Sequence, residues 1–331
     1  MRLATYNVEW FANLFGPQDQ LLLDDHPSGR YGIDRYSQAM ALAAVFQRLD
    51  ADAILVVEAP NTGREQRSTR ALANFAAEAG LRTSEAIAGF ANDTHQEIAL
   101  LYDPAVLSVR HDPKSAPKAP RFDGVFRIDL DVDDQMDEVR FSKPPLELAL
   151  TTKSGRAIRL IGAHLKSKAP HGARNEEDVV QISIANRRKQ LAQAIWLHRR
   201  VKQHVQARED LIVLGDLNDG PGLDEYERLF GRSSVEIVMG QELTDPHAQS
   251  LLKPRRHVLP STSRFFNPET KRYFSALLDY VMISNSLLSG EPKWRIWHPF
   301  EDAECYEDED LRNALLAASD HFPVTLDLNL S

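Results

Sequence analysis

In Leu211-Ile212-Val213-Leu214-Gly215-Asp216-Leu217-Asn218-Asp219, four consecutive apolar residues lead into an acid, an amide and a second acid. A short β-rich run with no alternation reads as a strand buried on both faces. An acid beside such a strand is costly unless it is paired or holds a cation. The arrangement recurs along the chain. Asn7 ends Arg2-Leu3-Ala4-Thr5-Tyr6, Glu58 follows Ile54-Leu55-Val56-Val57, and His164 closes Ile158-Arg159-Leu160-Ile161-Gly162-Ala163. Asp279 lies within Leu277-Leu278-Asp279-Tyr280-Val281, and Asp320-His321 precedes Phe322-Pro323-Val324. Any one of these alone is an ordinary turn or capping residue. Six such runs, brought to one rim, would gather four carboxylates, two histidines and two asparagines.

The remaining periodicity sets the architecture. Helices are expected over Ile33 to Leu49, Arg67 to Ala79 and, longest, Glu176 to Gln206. Further strands are expected over Glu97 to Tyr102, Val125 to Val132, Leu146 to Thr151, Arg156 to Ala163, Leu277 to Ile283 and Pro323 to Leu328. Strict β-α-β alternation is missing, so a doubly wound parallel sheet is disfavoured. Two mixed or antiparallel sheets packed together, with helices outside, fit better. No repeat or low-complexity linker divides the 331 residues, so one domain over 1–331 is expected.

Composition narrows the function. Hydrophobic residues make up 43% and charged residues 26%, which excludes a disordered or collagen-like chain. No apolar run approaches the roughly 18 residues of a membrane span. Asn7 and Glu9 interrupt the only early apolar stretch, so no secretory signal is read and a cytoplasmic location is expected. The single cysteine, Cys305, forbids an internal disulfide or a thiolate metal cluster and suits a reducing compartment. A net charge of −9 argues against non-specific coating of long nucleic acid, although a local basic site remains compatible with it.

Four carboxylates in one cavity repel one another unless a cation offsets the charge. Oxygen ligands without thiolate point to Mg²⁺ or Mn²⁺ rather than Zn²⁺. The zinc-protease pattern, the P-loop, the Rossmann glycines and G-x-S-x-G are all absent. Ser319-Asp320-His321 has the letters of a serine triad, but sequence neighbours do not form one.

In this order the pieces resemble the endonuclease/exonuclease/phosphatase superfamily, which includes pancreatic-type deoxyribonuclease and abasic-site endonucleases. The matching segments are Thr5-Tyr6-Asn7-Val8, Val56-Val57-Glu58, Gly162-Ala163-His164-Leu165-Lys166-Ser167, Leu214-Gly215-Asp216-Leu217-Asn218-Asp219, Leu278-Asp279-Tyr280-Val281 and Ser319-Asp320-His321-Phe322-Pro323-Val324. His164-Leu165-Lys166-Ser167-Lys168 and Arg187-x-x-Gln190 are most similar to the bacterial extracellular-nuclease branch. Lys143-Pro144-Pro145-Leu146 is similar to a family segment that usually begins with arginine, and Val57 stands where the family usually carries glutamine. The resemblance implies an α/β (α+β) fold, a four-layer sandwich of two packed mixed β-sheets flanked by helices.

It also implies a divalent-metal-dependent hydrolase of phosphate esters that works by activated-water attack. Glu58, Asn7 and Asp320 would form the metal environment. Asp216 would orient or deprotonate the water, and Asn218 would hold the phosphate or that water. His321, oriented by Asp279, would meet the phosphoryl group as a cation, and His164 would bind another oxygen or protonate the leaving group. Lys166 and Arg187 would contact substrate, although each also fits a solvated surface. Phe265, Phe266, Tyr273 and Phe274 read as a hairpin packed into the core, with base stacking as the alternative. The acidic stretch Glu301 to Asp310 reads as a solvated insertion. Nuclease activity on DNA or RNA is the first functional reading, and a phosphatase or phosphodiesterase on a small or lipid phosphate is the second. A non-catalytic module on the same fold is disfavoured, because every expected polar residue is present.

Overall fold

The computed structural model describes residues 1–330 except 65, 93, 95, 131–135, 171, 222–230, 252–259, 268 and 269. Two six-stranded sheets dominate. The first runs β15 (Lys293–Ile296), β16 (Val324–Asp327), β1 (Arg2–Asn7), β2 (Ala53–Ala59), β4 (Glu97–Tyr102) and β3 (Glu85–Ala88). The second runs β11 (Leu243–Thr244), β14 (Asp279–Ser284), β10 (Leu211–Asp216), β9 (Ala157–His164), β8 (Leu146–Thr152) and β5 (Leu107–His111). Both are mixed. In each, one parallel pair, β1 with β2 and β9 with β10, is flanked by antiparallel neighbours.

Side-chain alternation explains why the sheets stack. In β2, Leu55 and Val57 join Leu3, Ile98, Leu160, Ile212, Leu214 and Val281 in a core between the sheets. The intervening Ile54 and Val56 face outward with Tyr6, Phe46, Phe75 and Leu315. In β10, Val213 faces the opposite way, toward Trp196, Leu197 and Val201. Three apolar interfaces require four layers. Helices α1 (Arg35–Leu49), α2 (Ser68–Glu78) and α7 (Glu309–Ala318) cover the first sheet, and α3 (Glu176–Gln206) and α4 (Ser234–Met239) cover the second. The expected two-sheet sandwich with outer helices is the observed fold.

Local chemistry fixes the ends of these elements. Asp34 caps α1 by accepting from the Ser37 amide, and Asn175 caps α3 by accepting from that of Asp178. Glu176, Glu177 and Asp178 then occupy the positive end of the α3 dipole. The stretch Glu301 to Asp310 is largely exposed, as expected of a solvated segment, and it holds one short helix and the start of another. Asp302 caps α6 (Ala303–Glu307) and pairs with Arg295, while Asp308 caps α7 and pairs with Arg48. The strand expected over Val125 to Val132 is shorter: β6 (Phe126–Ile128) pairs with β7 (Asp137–Val139), and residues 131 and 132 lie outside the described residues. Among the described residues, no helix is long and apolar enough to cross a membrane.

Candidate active site

The C-terminal ends of the parallel pairs open onto one cavity of about 840 Å³. Asn7 stands at the end of β1 and Glu58 near the end of β2, while His164 and Asp216 are paired neighbours at the ends of β9 and β10. The cavity is also lined by Lys166, Asn218, Asp320 and His321. Asp279 opens β14 opposite Asp216 and stands behind His321. Arg187 does not line the cavity. It lies on α3, where its guanidinium donates to the Ser183 carbonyl, so α3 brings Gln190 rather than Arg187 toward the site loops. The Gln190 amide donates to the carbonyls of Lys166, Leu217 and Asn218 and holds those loops together.

Backbone irregularities aim these side chains. Glu58 sits on a bulge between Val57 and Ala59 with φ +61°, which takes it out of the strand's alternation and onto the rim. Gly215 has φ +130°, and a Cβ there would lie 2.0 Å from the Ala163 carbonyl oxygen. Only glycine permits that approach, and it delivers Asp216 beside His164. Asn218, at φ +51°, folds back so that its amide N–H donates to Asp216 Oδ1 at 2.7 Å.

Electrostatics divide the site. His321 Nδ1 lies 2.7 Å from Asp279 Oδ2, which also accepts from the Thr262 hydroxyl at 2.8 Å. Burial opposes charge on the His321 ring, but Asp279, Asp216 and Asp320 outweigh it and hold its pKa well above 6.5. Burial, then Asp279, pushes the Asp216 carboxyl up to about 7, although Asn7 Nδ2 donates to its Oδ2 at 3.0 Å. Burial also raises Glu58, whose Oε2 accepts from Gln96. His164 is driven well below 6.5 by burial, then by Lys143 and His321.

These groups fit a hard cation on two observations. Asn7 Oδ1 and Asp279 Oδ1 are buried oxygens without a hydrogen-bond partner. The oxygen donors Asn7, Glu58 and Asp320 line the same cavity, which is the donor chemistry Mg²⁺ and Mn²⁺ take. A second grouping brings donor atoms of Asp216, Asp279 and His321 within 4.8 Å of one another. There the His321–Asp279 hydrogen bond already occupies Nδ1.

Several residues at the cavity lay outside the expected set. Glu9, Gln96, Lys143 and Gln193 line it. Glu9 is pushed up to about 7 by burial and Asp320, against Arg30. It lies two residues from Asn7, and Lys143 opens the Lys-Pro-Pro segment, so both carried a local signal. Gln96 had none, since its partner is 38 residues away. Lys168 is bound to the buried Asp219 at 2.6 Å. The aromatic hairpin is a correction. β12 (Ser263–Asn267) and β13 (Arg272–Ala276) form a two-stranded ribbon tied to the rim by backbone bonds between Thr262–Arg264 and Asp320–Phe322, and Phe266, Tyr273 and Phe274 are 46%, 55% and 53% exposed. Phe265 and Phe274 line the cavity, with Phe265 edge-on to His321 at 5.5 Å between ring centres.

The Endonuclease/Exonuclease/phosphatase family pattern matches residues 4–321, and the chain belongs to that family. Its members are phosphoesterases and nucleases that generally depend on a divalent metal. No curated protein sequence matches the chain. Solved structures with the same fold include a truncated Caenorhabditis elegans TDP2, at 14% identity and a TM-score of 0.51 over 98% of this chain and 96% of that one. A mannosyl-6-phosphatase of Bacteroides thetaiotaomicron is similar at 15% identity and a TM-score of 0.52 over 99% of both chains. TDP2 of D. rerio, complexed with a single-strand DNA product, is similar at 13% identity and a TM-score of 0.50 over 98% of this chain and 97% of that one.

Proposed function

We propose that this protein is a divalent-metal-dependent phosphodiesterase that hydrolyses nucleic acid by direct attack of water. The observation that carries this reading is the opposition, in one cavity, of a charged imidazole and a carboxylate of raised proton affinity. Asp279 keeps His321 protonated, while Asp216 sits poised near neutrality. A phosphoryl group docked against both meets a cation and a general base side by side.

Each residue then has a task. Asp216 takes a proton from the attacking water, which Asn218 orients from its backbone-tethered position. His321 donates to a phosphoryl oxygen and balances the growing negative charge. His164 donates to a second oxygen on the phosphoryl or leaving group, and Lys166 adds positive charge at the rim. Asn7, Glu58 and Asp320 would hold Mg²⁺ or Mn²⁺, which supplies further charge neutralisation when bound. No covalent intermediate is required. Both sheets contribute, which supports treating residues 1–331 as one domain.

Phe265 and Phe274 favour nucleic acid, because an apolar wall beside the reacting group suits a base. A small phosphate is the second reading. It is favoured by the carboxylates of Glu9, Glu58, Asp216 and Asp320 in the lining and by the net charge of −9. The fold occurs in a protein holding DNA product and in a sugar phosphatase, so both classes belong in the test. Turnover should be measured on single-stranded DNA, plasmid DNA, RNA and sugar monophosphates with Mg²⁺ or Mn²⁺. Nucleic-acid cleavage abolished by chelator and restored by metal is expected. Cleavage of monoesters alone would move the assignment to the second reading, and undiminished turnover in excess chelator would remove the metal.

A further inference from the structure

We propose that Lys143 is a positioning residue for His164: it holds the ring in the neutral tautomer that carries its hydrogen on Nε2, so that His164 serves as a fixed hydrogen-bond donor and not as a proton source. The inference deepens the phosphoesterase reading and rests on it for the role of the imidazole. Its physical part, the tautomer, follows from the Lys143–His164 contact with Lys143 as an ammonium.

Lys143 Nζ lies 3.2 Å from His164 Nδ1. An ammonium offers three donors and no acceptor. Nδ1 must therefore accept, through its lone pair, and the ring hydrogen is left on Nε2. Nε2 lies 3.7 Å from Asp216 Oδ2, on the side of the ring that meets the base and the docked phosphoryl group. A second proton on the ring would set two donors head to head at Nδ1. Burial of His164 works in the same direction.

Lys143 is itself held in place. It lies between Ser142 and the Pro144-Pro145 pair that leads into β8, where the proline rings restrict the backbone. Burial lowers the pKa of its ammonium, while Glu58 and Asp216 oppose that and favour the charge. The two imidazoles of the site thus have opposite partners. His321 Nδ1 faces a carboxylate and His164 Nδ1 faces an ammonium, 2.7 and 3.2 Å away. The same side chain is made a cation in one place and a neutral donor in the other.

The test is ¹⁵N NMR of histidine-labelled full-length protein, with His164 assigned by loss of its signals in H164Q. Wild type should show His164 protonated at Nε2 and bare at Nδ1 at neutral pH. K143M should lose that signature and give mixed tautomers, and K143R, which keeps a donor, should restore it. In turnover, K143M should lower kcat by about 10- to 100-fold, with a smaller change in KM, as when a group orienting an imidazole is removed. Wild-type His164 protonated at Nδ1, or on both nitrogens, would overturn the proposal, as would an unchanged tautomer in K143M. Should K143M fail to fold, the wild-type and K143R spectra still decide. If the spectra behave as expected but wild type cleaves no phosphate ester, the tautomer assignment stands and the functional reading fails.

Discussion

Under α3, Glu147 is enclosed by partners; at the strand ends, Asp279 and Asn7 are not. Glu147 projects from β8 and is 1% exposed. Its Oε1 accepts from Arg200 at 3.1 Å and meets His204 Nε2 at 3.1 Å, and its Oε2 accepts from the Lys114 amide at 3.0 Å. His204 is in turn tied to Glu209 at 2.6 Å. Asp279 is equally buried, yet its Oδ1 has no partner, and neither has Asn7 Oδ1. Asp216 accepts hydrogen bonds and is still pushed up to about 7 by burial and Asp279. Buried charge therefore does not by itself mark a functional site. A carboxylate whose oxygens are all engaged locks elements together, and one left incomplete is waiting for a ligand or a proton.

The sharpest way to break this comparison is to remove a member of each cluster and compare the readouts. H321A should lower kcat by about 10²–10⁴-fold, the range for a proton-handling group, while the urea midpoint moves little. Near-normal turnover would take His321 out of the mechanism. E147Q should do the reverse. It leaves Arg200 buried without its counter-charge, a change that costs about 3–5 kcal/mol in comparable buried pairs. Urea unfolding would show the loss, and activity per folded molecule should stay within a few-fold of wild type. A large fall in kcat with unchanged stability would mean that the Glu147 cluster belongs to the site.

Sequence alone could not separate the two clusters residue by residue. Glu147 sits in Leu146-Glu147-Leu148-Ala149-Leu150 much as Asp279 sits in Leu277-Leu278-Asp279-Tyr280-Val281. What tells them apart is the partner, and Arg200 is 53 residues away on another element. The candidate set at the cavity was legible because its pieces come in a recognisable order and end apolar runs. The strands themselves divide the same way. Those readable from the sequence, β1, β2, β4, β8, β9, β10, β14 and β16, are all interior in their sheets. Of the five that left no signal, β3, β5, β11 and β15 are the four edges of the six-stranded sheets, and β7 belongs to the separate β6–β7 ribbon. Interior strands are apolar on both faces, whereas edge strands such as Leu107–His111 mix Ser108, Arg110 and His111 among apolar residues. The hairpin was foreseen, but its aromatics were taken for core. Nothing in Phe265, Phe266, Tyr273 and Phe274 reveals that the ribbon stays outside the two large sheets and leaves three of them exposed.

The smallest expected effect comes from the buried carboxyls at the cavity, through the pH dependence of stability. Asp216 and Glu9 are both pushed up to about 7, chiefly by burial. Unfolded, these carboxyls ionise near pH 4, so between about pH 4 and 7 the folded protein binds more protons than the unfolded chain. Their contribution is fully present below the unfolded value and is lost as pH rises through about 7. These two groups accordingly lower the melting temperature of the metal-free protein near pH 8 relative to pH 5.5, a contribution that D216N and E9Q should remove, while buried histidines of lowered pKa such as His164 work the other way. Ligand carboxylates must give up their protons to a metal, so binding is favoured at the higher pH. Millimolar Mg²⁺ or Mn²⁺ should then stabilise the protein by about 1–3 kcal/mol near pH 8, as for a ligand at ten to a hundred times its dissociation constant. Near pH 5.5 the gain should be smaller. Glu147, with both oxygens already engaged, gives E147Q no reason to alter the metal-dependent gain. Melting curves with equal metal stabilisation at both pH values, or with none, would show that the strand-end carboxylates are as complete as Glu147 and would remove the basis for the contrast.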